Sequence, residues 1–262
     1  MLLTLVKPST GSIQLFGKDL DTHRREILKG IGAVIERPDL YKYLSAYDNL
    51  AIFARLSGIK PERSILMKQL EMVGLAPRAQ SKVKTFSQGM KQRLGIAVAL
   101  IHDPQLIILD EPTNGLDPQG IADMRNLILH LSRELDKTIL VSSHLLSEIE
   151  LIANRILIID KGRKIVEGNA IELLDPARTI VQVETLDNKE AKNKLLPTKW
   201  AAFLLQSSGS LRFQMNRSDI PLLTADLVSL NIPVLSIHPR HSLEDYFLSL
   251  TSHGHHVEPI AN

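Results

Sequence analysis

The sequence predicts an α/β fold built around a parallel sheet, followed by a small α+β segment. The first observation is the stretch from Leu106 to Asp117, where four aliphatic residues run directly into two carboxylates and a Pro-Thr-Asn-Gly turn. An apolar run of this length between turn residues is typical of a strand buried on both faces. The second observation is that such runs alternate with helical patterns, as the strands of a parallel sheet do.

Composition limits the classes to which the chain can belong. It has 262 residues, 44% of them hydrophobic, which is enough for one large α/β unit or a core with an appendage. The net charge of +2 gives no electrostatic reason to expect a nucleic-acid partner. The chain has no cysteine, and no apolar stretch approaches the roughly 20 residues that span a bilayer. If the protein serves a membrane, we expect another chain to supply the spanning part.

The segment ahead of the central strand contains several short elements. Met1 to Val6 is apolar and resembles the end of a helix. Ser12 to Phe16 alternates like a strand, and a helix is expected over Arg24 to Lys29. Gly32 to Ile35 is predicted to be a short buried strand. It ends on Glu36, so a second carboxylate follows a strand directly.

A loop with an unusual content of tyrosine follows that strand. Residues 37–47 hold three of the four tyrosines in the chain, Tyr41, Tyr43 and Tyr47. Two interpretations remain open, namely packing of the loop on a neighbouring helix and a contact surface for another protein. The second rests on the enrichment of tyrosine in interfaces.

Residues 45–102 have helical patterns throughout and are expected to form a helical subdomain. Ser45 can cap the first helix, and Gly58 can end it. A second helix is expected to end at Gly74. A third follows the sequence FSQGMKQR and is broken by Asp103 and a proline, just before the central strand.

The segment after the central strand adds further α/β elements. Pro118 to Leu135 is predicted to be a helix, with Asp117 as its N-cap. Thr138 to Val141 is predicted to be a second buried strand, which leads through two serines to His144. After another helix, residues 155–167 are expected to form a hairpin.

The last part of the chain is predicted to be a separate α+β segment, residues 179–251, with a flexible tail over 252–262. Strands and helices alternate in it, and Ser242 with Asp245 resembles a capping box. The histidines of the tail could bind a stray metal, although a solvated terminus is the simpler interpretation. The expected strands are Ile180–Glu184, Leu211–Met215 and Val234–Ile237, and the expected helices are Lys189–Leu196, Ile220–Leu230 and Leu243–Leu250.

Two places in the sequence carry residues suited to phosphate and metal chemistry. Asp110 and Glu111 end the central strand, and ligands bind at the carboxyl ends of strands in open α/β sheets. Paired carboxylates there require a cation or a proton, unless the strand merely ends in a charged turn. Ser87 and the backbone N–H groups of Gln88 and Gly89 begin a helix, which makes an anion site. A plain N-cap at Ser87 is the alternative.

Four sequence features, in this order, resemble one family, the ABC-type ATPases, whose core is a P-loop NTPase-like fold. Phe86 to Arg93 (FSQGMKQR) resembles the signature motif, and Leu106 to Pro112 (LIILDEP) resembles the Walker B strand with its catalytic carboxylate. Asn114 to Asp117 (NGLD) resembles the D-loop, and His144 resembles the switch histidine. The resemblance covers about residues 1–174. The segment 240–251 is similar to the C-terminal tail of exporter-type members, of the drug or polysaccharide export kind.

The resemblance implies an ATPase that uses ATP and Mg²⁺ to drive export. Asp110 and Glu36 would ligate Mg²⁺, Asp110 through water. Glu111 would orient and polarise the attacking water, and His144 would donate a hydrogen bond to the γ-phosphate. A histidine packed at a strand end would be the alternative for His144 alone.

The family also implies protein partners. Ser87, Gln88 and Gly89 would face a nucleotide held by a second subunit, with Asp117 at the seam of a homodimer or heterodimer. The loop with the tyrosine cluster would contact a separate membrane permease. The protein would therefore lie peripherally on the cytoplasmic face of the cell membrane, with no nucleic acid involved.

The sequence departs from the family in two respects. The phosphate loop G-x-x-x-x-G-K-[ST] occurs at none of the 14 glycines, and the aromatic residue that stacks on adenine is missing too. We therefore expect the chain to start inside the nucleotide-binding core, through a truncated gene model or a wrong start codon, or else truly to lack the loop. We expect it to bind ATP poorly and to expose an apolar sheet edge. The second departure is Glu36, where the family commonly has glutamine.

Two other functions remain open. The chain could be a non-catalytic subunit that contributes its signature motif to the nucleotide site of a partner. It could also be an ABC-type ATPase of translation or DNA repair. Those proteins usually carry two ATPase units or a long coiled-coil insertion, and the 262 residues show neither.

Overall fold

The computed structural model describes residues 1–174, 179–205, 210–240, 243–244 and 246–247. Contacts divide the chain into two compact units, residues 1–144 and the residues from 145 onward. The predicted domain limits at 174 and 179 stay a prediction. The predicted capping box at Ser242 and Asp245 and the predicted tail lie outside the described residues.

The first unit opens with a small ribbon and a short helix. Strands β1 (Gln14–Leu15) and β2 (Lys18–Asp19) pair antiparallel, and α1 (Arg24–Lys29) follows. The helix expected over Met1 to Val6 is wrong, because those residues form turns. Leu2 and Leu3 instead pack on the apolar cluster beneath the sheet.

The centre of the first unit is a parallel sheet of three strands. They are β3 (Ile31–Ile35), β4 (Leu106–Asp110) and β5 (Thr138–Ser142), in the order β3-β4-β5. The aliphatic residues of β4 are all buried, which confirms the prediction of a strand covered on both faces. One face packs on the cluster that contains Ile27, and the opposite side of β3 packs on a helix described below.

Strand β5 differs from its prediction. It was expected to be buried, but Thr138, Leu140 and Ser142 are all exposed, with Leu140 at 46%. The strand lies at the edge of the described sheet, so one of its sides has no neighbouring strand there. The apolar run TILV correctly predicted a strand, but burial depends on neighbours that the run itself does not specify.

The helical part of the first unit carries α2 (Ala46–Leu56), α3 (Arg63–Met72) and α4 (Gln88–Leu100), which contact one another. A capping box at Ser45 begins α2, as the Oγ accepts from the Asp48 N–H at 3.0 Å. Helix α5 (Pro118–Arg133) follows β4. The predicted helical subdomain is therefore present as helices, and α4 runs from it onto the sheet.

The second unit begins with α6 (Leu146–Ile152), an antiparallel hairpin of β6 (Arg155–Asp160) and β7 (Arg163–Asn169), and α7 (Ala170–Leu173). Ile156 and Ile158 turn into a cluster that also contains Leu243. The alternate residues Leu157 and Ile159 are exposed. The hairpin was predicted, and its strands are longer than expected.

A four-stranded antiparallel sheet forms the rest of the second unit. Its order, β11-β8-β10-β9, is that of a β-α-β-β-α-β ferredoxin-like arrangement. Its elements are β8 (Thr179–Thr185), α8 (Asn188–Leu195), β9 (Leu204–Leu205), β10 (Leu211–Met215), α9 (Ile220–Ser229) and β11 (Val234–Arg240). Both helices pack on one face, against Val181, Val183 and Phe213. The three predicted strands and the first two predicted helices of this segment are present, whereas most of the predicted helix Leu243–Leu250 lies outside the described residues. Across the described residues, no helix is both long and apolar enough to cross a membrane.

Candidate functional site

The three parallel strands end in register at one edge of the sheet. Ile35 pairs with Asp110, and Asp110 pairs with Ser142. The next residues along the chain, Glu36 and Glu111, therefore leave the sheet at the same edge. The structure thus places four predicted residues of the site, Glu36, Asp110, Glu111 and His144, at the carboxyl ends of adjacent strands.

Glu111 and His144 form a direct contact at this edge. The Nδ1 atom of His144 lies 2.7 Å from Oε2 of Glu111. The backbone of Glu111 is left-handed, with φ +47°, and its N–H donates to Ser142 O at 3.2 Å and to Ser142 Oγ at 3.1 Å. A carboxylate beside an imidazole can hold a water molecule and pass on its proton.

Asp110 has a neighbour that the sequence did not single out. The hydroxyl of Ser142 donates a hydrogen bond to Oδ1 of Asp110. Ser142 therefore touches both members of the carboxylate pair, the side chain of Asp110 and the N–H of Glu111. Its position at the end of a strand that leads to His144 was the available signal.

Glu36 lies exposed at the tip of β3, with φ +50°. Its carbonyl oxygen accepts a hydrogen bond at 3.0 Å from Nε2 of Gln92, a residue of α4. Gln92 is buried, at 1% exposure. The sequence placed it within the signature-like stretch but gave it no role.

The donor set at this edge suits Mg²⁺ better than a softer metal. Carboxylate oxygens are available from Asp110 and Glu36, and Mg²⁺ takes one or two carboxylates with water and substrate phosphate. Among the described residues, no group of three acidic or histidine side chains forms a ready metal cage. The residues therefore fit an ion held partly by a phosphate substrate.

The signature-like motif begins α4. Ser87 is exposed and is the N-cap, with its Oγ accepting from Met90 N–H at 3.3 Å. The helix has 13 residues, so its first N–H groups form a positive end. The predicted N-cap is present, and the binding role of Ser87, Gln88 and Gly89 stays a prediction.

The D-loop-like turn lies beside that helix end. Asp117 caps α5, with Oδ1 accepting from Gly120 N–H at 3.1 Å. A Cβ at Gly89 would lie 3.7 Å from Cδ2 of Leu116. The N-terminal ends of α4 and α5 are therefore neighbours, and Leu116 lies between the two motifs.

The loop with the tyrosine cluster is held by Asn49, which the sequence analysis missed. Asn49 is fully buried on α2 and exchanges two hydrogen bonds with the backbone of Tyr41, at 2.8 and 3.1 Å. Tyr43 is 78% exposed and Tyr41 is also exposed, whereas Tyr47 is half-buried. Two of the three tyrosines thus form an ordered, outward-facing surface. The half-buried Tyr47 instead fits the alternative interpretation, in which the loop packs on neighbouring residues.

An apolar area adjoins Asp110 on the same face of the sheet. Ile35 and Leu140 flank β4 there, and they are 43% and 46% exposed. Both side chains belong to the outer strands of the described sheet, and the expected apolar edge left by a missing phosphate-loop strand stays a prediction.

Comparisons with known proteins agree with this geometry. A sequence model of the family described as "ABC transporter" matches residues 1–114. The bacitracin transport ATP-binding protein BcrA of Bacillus licheniformis is 40% identical over 257 residues, 97% of this chain and 83% of the relative. The lantibiotic transport ATP-binding protein SrtF of Streptococcus pyogenes is 47% identical over 167 residues, 64% of this chain and 70% of the relative.

A solved structure is similar as well. It is cbiO1 from Clostridium perfringens, part of the ABC transporter complex cbiONQ, with a TM-score of 0.59 and 26% identity over 76% of each chain. The motifs, the strand edge and the length over which the relatives match lead to one conclusion: this chain belongs to the ATP-binding subunits of ABC transporters.

Proposed function

We propose that this chain works on the cytoplasmic face of the membrane, where it uses Mg²⁺ and ATP to drive export through a separate permease. The observation that supports this most is the strand edge, where Asp110 and the contact between Glu111 and His144 lie together. The named cargoes of two relatives are bacitracin and lantibiotics. Antimicrobial peptides are therefore the cargo class to test first.

The chemistry at this edge divides between the two carboxylates. Bound Mg²⁺ would neutralise charge on the transferred phosphate. Asp110 and Glu36 would hold the ion, and Ser142 keeps Asp110 oriented through its hydroxyl. Glu111 would orient the water and accept its proton, while His144 would support Glu111 and reach the phosphate.

The signature-like helix would serve a second copy or a related subunit. Ser87 is exposed at the positive end of α4, and Gly89 leaves space for a phosphate to approach the backbone. Asp117 lies beside this end at the start of α5. We therefore propose a head-to-tail dimer in which these residues face the nucleotide of the other subunit.

The loop with the tyrosine cluster would bind the permease. Tyr41 and Tyr43 are exposed, and Asn49 fixes the loop before any partner arrives. An ordered aromatic surface loses little conformational entropy on binding. Alanine at Tyr43 should therefore weaken attachment to permease-containing membranes without lowering the stability of the free chain.

A specific alternative is that the chain only contributes its signature motif to the site of a partner. The observation that favours it is the exposed Ser87 at the positive end of α4, where it can face a nucleotide held by another subunit. In this case Ser87 would matter and Glu111 would not.

The two functions can be separated by ATP hydrolysis in a mixture with a relative, the bacitracin transport ATP-binding protein of B. licheniformis. Under either function, Ser87→Ala in this chain should lower turnover of the mixture. Glu111→Gln should lower it, by about 10²-fold or more at this chain's own site, only if this chain hydrolyses ATP. Turnover unaffected by Glu111→Gln would contradict the catalytic function, and turnover unaffected by both would contradict the two proposals together.

A further inference from the structure

Gln92 is a buried polar residue to which the proposed mechanism gives no role. It lies on α4, five residues after Ser87, and is 1% exposed. Its Nε2 donates to the carbonyl oxygen of Glu36 at 3.0 Å, across 56 residues of sequence. Only the amide nitrogen can donate to a carbonyl, so this partner fixes the orientation of the side chain.

The other half of the same amide is not satisfied. Oε1 of Gln92 is buried and has no hydrogen-bond partner among the described residues. A buried acceptor without a partner is costly, and an apolar side chain of similar length would avoid that cost. Core packing alone therefore does not account for a glutamine here, whereas the contact with Glu36 does.

Helix α4 closely approaches β3 and the loop after it at two further points on the same side of the helix. A Cβ at Gly95 would come within 2.5 Å of Pro38 Cβ, and one at Gly32 within 2.3 Å of Ala99 O. Gln92, Gly95 and Ala99 are spaced three and four residues apart, so they share one face of the helix. The helix and the strand are in contact from Gly32 to the tip at Glu36.

The backbone that Gln92 contacts is in an unfavourable conformation. Glu36 has φ +50°, a left-handed geometry that non-glycine residues rarely adopt. Such a geometry persists only where the surroundings hold it. The side-chain amide of Gln92 stabilises this conformation directly, because it donates a hydrogen bond to the carbonyl oxygen of Glu36.

We propose that Gln92 is a positioning residue that fixes the Glu36 backbone, and thereby the direction in which the Glu36 carboxylate leaves β3. It makes the strand tip and the helix that begins at Ser87 one rigid body. This step rests on the proposed function. The rigid body would then connect Glu36, at the Mg²⁺ of this chain's own nucleotide site, to Ser87, which faces the nucleotide of the other subunit. A shift at either end would then reach the other through α4.

Hydrogen exchange of the full chain tests the contact itself, without metal or nucleotide. Gln92→Met keeps the length of the side chain and removes the donor. We expect exchange over residues 34–37 to rise about 2- to 10-fold, the range for one lost hydrogen bond. We expect the urea midpoint of the chain not to fall, because the unpaired oxygen is removed as well.

Gln119→Met on α5 is the matched control. It makes the same change at an exposed position of the helix, where Nε2 donates to Asp123. Gln92→Leu gives a second test, because leucine also lacks a donor to the Glu36 carbonyl and should raise exchange about as much. If both Gln92 variants leave residues 34–37 at the control rate, the proposal is wrong.

A measurement on the unaltered chain tests the proposal even if a Gln92 variant fails to fold. NMR should show scalar coupling across the hydrogen bond, between the side-chain amide nitrogen of Gln92 and the carbonyl carbon of Glu36. A Gln92 amide that exchanges as fast as an exposed glutamine, with no such coupling, would overturn the proposal.

Titration with Mg²⁺ at a constant concentration of inorganic phosphate separates this inference from the proposed function, because the residues fit an ion held partly by phosphate. In the unaltered chain, Mg²⁺ should shift the resonances of Asp110 and Glu36, and Gln92→Met should weaken that response several-fold. If Mg²⁺ shifts the resonances of neither residue, the proposed metal site is wrong. The exchange rates measured without metal still decide whether Gln92 positions Glu36. A Mg²⁺ response identical in the Gln92→Met variant would show that Gln92 does not position Glu36.

Discussion

At the scale of single residues, the site depends on two carboxylates that follow strands in a left-handed backbone. Glu36 and Glu111 have φ values of +50° and +47°, where a side chain clashes with its own carbonyl. Each is held from outside, Glu36 by Gln92 and Glu111 by Ser142. The geometry of the site therefore comes from its neighbours rather than from the preference of its own residues.

The strain at Glu36 can be measured by replacing it with glycine. Glu36→Gly removes the Cβ clash, and we expect it to raise the free energy of unfolding by about 1 kcal/mol. The matched control is Glu71→Gly on the exposed side of α3, which should lower it by about 1 kcal/mol. Urea denaturation checks both, and a loss of stability in Glu36→Gly would contradict the expectation.

Asn49 is the residue on which the order of the loop with the tyrosine cluster depends. Asn49→Ala leaves the backbone of Tyr41 without its two partners, and we expect it to cost about 1–3 kcal/mol of stability. Proteolysis should then cut faster within residues 37–44. Tyr43→Ala, at an exposed position, serves as the control and should leave both quantities nearly unchanged.

The catalytic candidates could be predicted at this scale, and their supports could not. Asp110, Glu111 and His144 follow apolar strands, so their place at the carboxyl edge follows from the fold class. Ser142, Gln92 and Asn49 act on partners elsewhere in the chain, and a polar residue gives no sign of its partner before the fold is known. Prediction from the sequence therefore reached only the residues at the ends of strands, and their roles in catalysis and metal binding stay a prediction.

At the scale of elements, the hairpin of β6 and β7 carries a pH-dependent contact. A hydrogen bond from Arg155 at 2.7 Å, with a second from Lys164 at 3.2 Å, lowers the pKa of Glu167 below its usual range. The pKa of Glu167 is lower in the folded chain than in the unfolded chain. The contact therefore stabilises the fold fully at pH values above the pKa of the unfolded chain. This stabilisation is lost as the pH falls through the folded pKa.

Glu167→Gln tests that contact. We expect the variant to be less stable than the unaltered chain at neutral pH, with the difference shrinking as the pH falls through the folded pKa of Glu167. Added salt should also reduce the difference, because these charges are exposed. Gln119→Met, which changes no charge, is the control, and its effect on stability should not vary over the same pH range. A difference that stays constant from neutral to acid pH would contradict the mechanism.

The elements that the sequence predicted correctly are those with a clear period or a clear stop. The strand β10 and the helix α1 have the predicted limits, and β8 and α5 differ from theirs by one or two residues at an end. The expectation that Met1 to Val6 ends a helix was wrong, because Leu2 and Leu3 pack on the apolar cluster of the sheet from turn conformations. Local pattern thus predicts element type, whereas packing decides marginal segments.

At the scale of the whole molecule, each of the two units contains an apolar cluster of its own. Trp200, the only tryptophan, is buried in the second unit and donates to Asp226 at 2.8 Å. Its fluorescence therefore reports on that unit alone. Far-UV circular dichroism has large contributions from the helices of the first unit, so the two signals follow different parts of the chain.

We expect these two signals to give different unfolding curves in urea. Leu70→Ala, in the first unit, should destabilise by about 2–5 kcal/mol and shift the dichroism curve without moving the fluorescence curve. Leu223→Ala, in the core of the second unit, should do the reverse. If both variants move both curves equally, the units unfold as one cooperative body.

The bare side of β5 has a consequence for how any such experiment must be run. Its outer backbone groups have no ladder partner in the described sheet, and Leu140 is exposed beside them. An edge of this kind pairs readily with a strand from another molecule. Heating should therefore end in association between chains, with an apparent melting temperature that falls as protein concentration rises and as the scan is slowed. Dilute samples and renaturation checks belong in every measurement of this protein's stability.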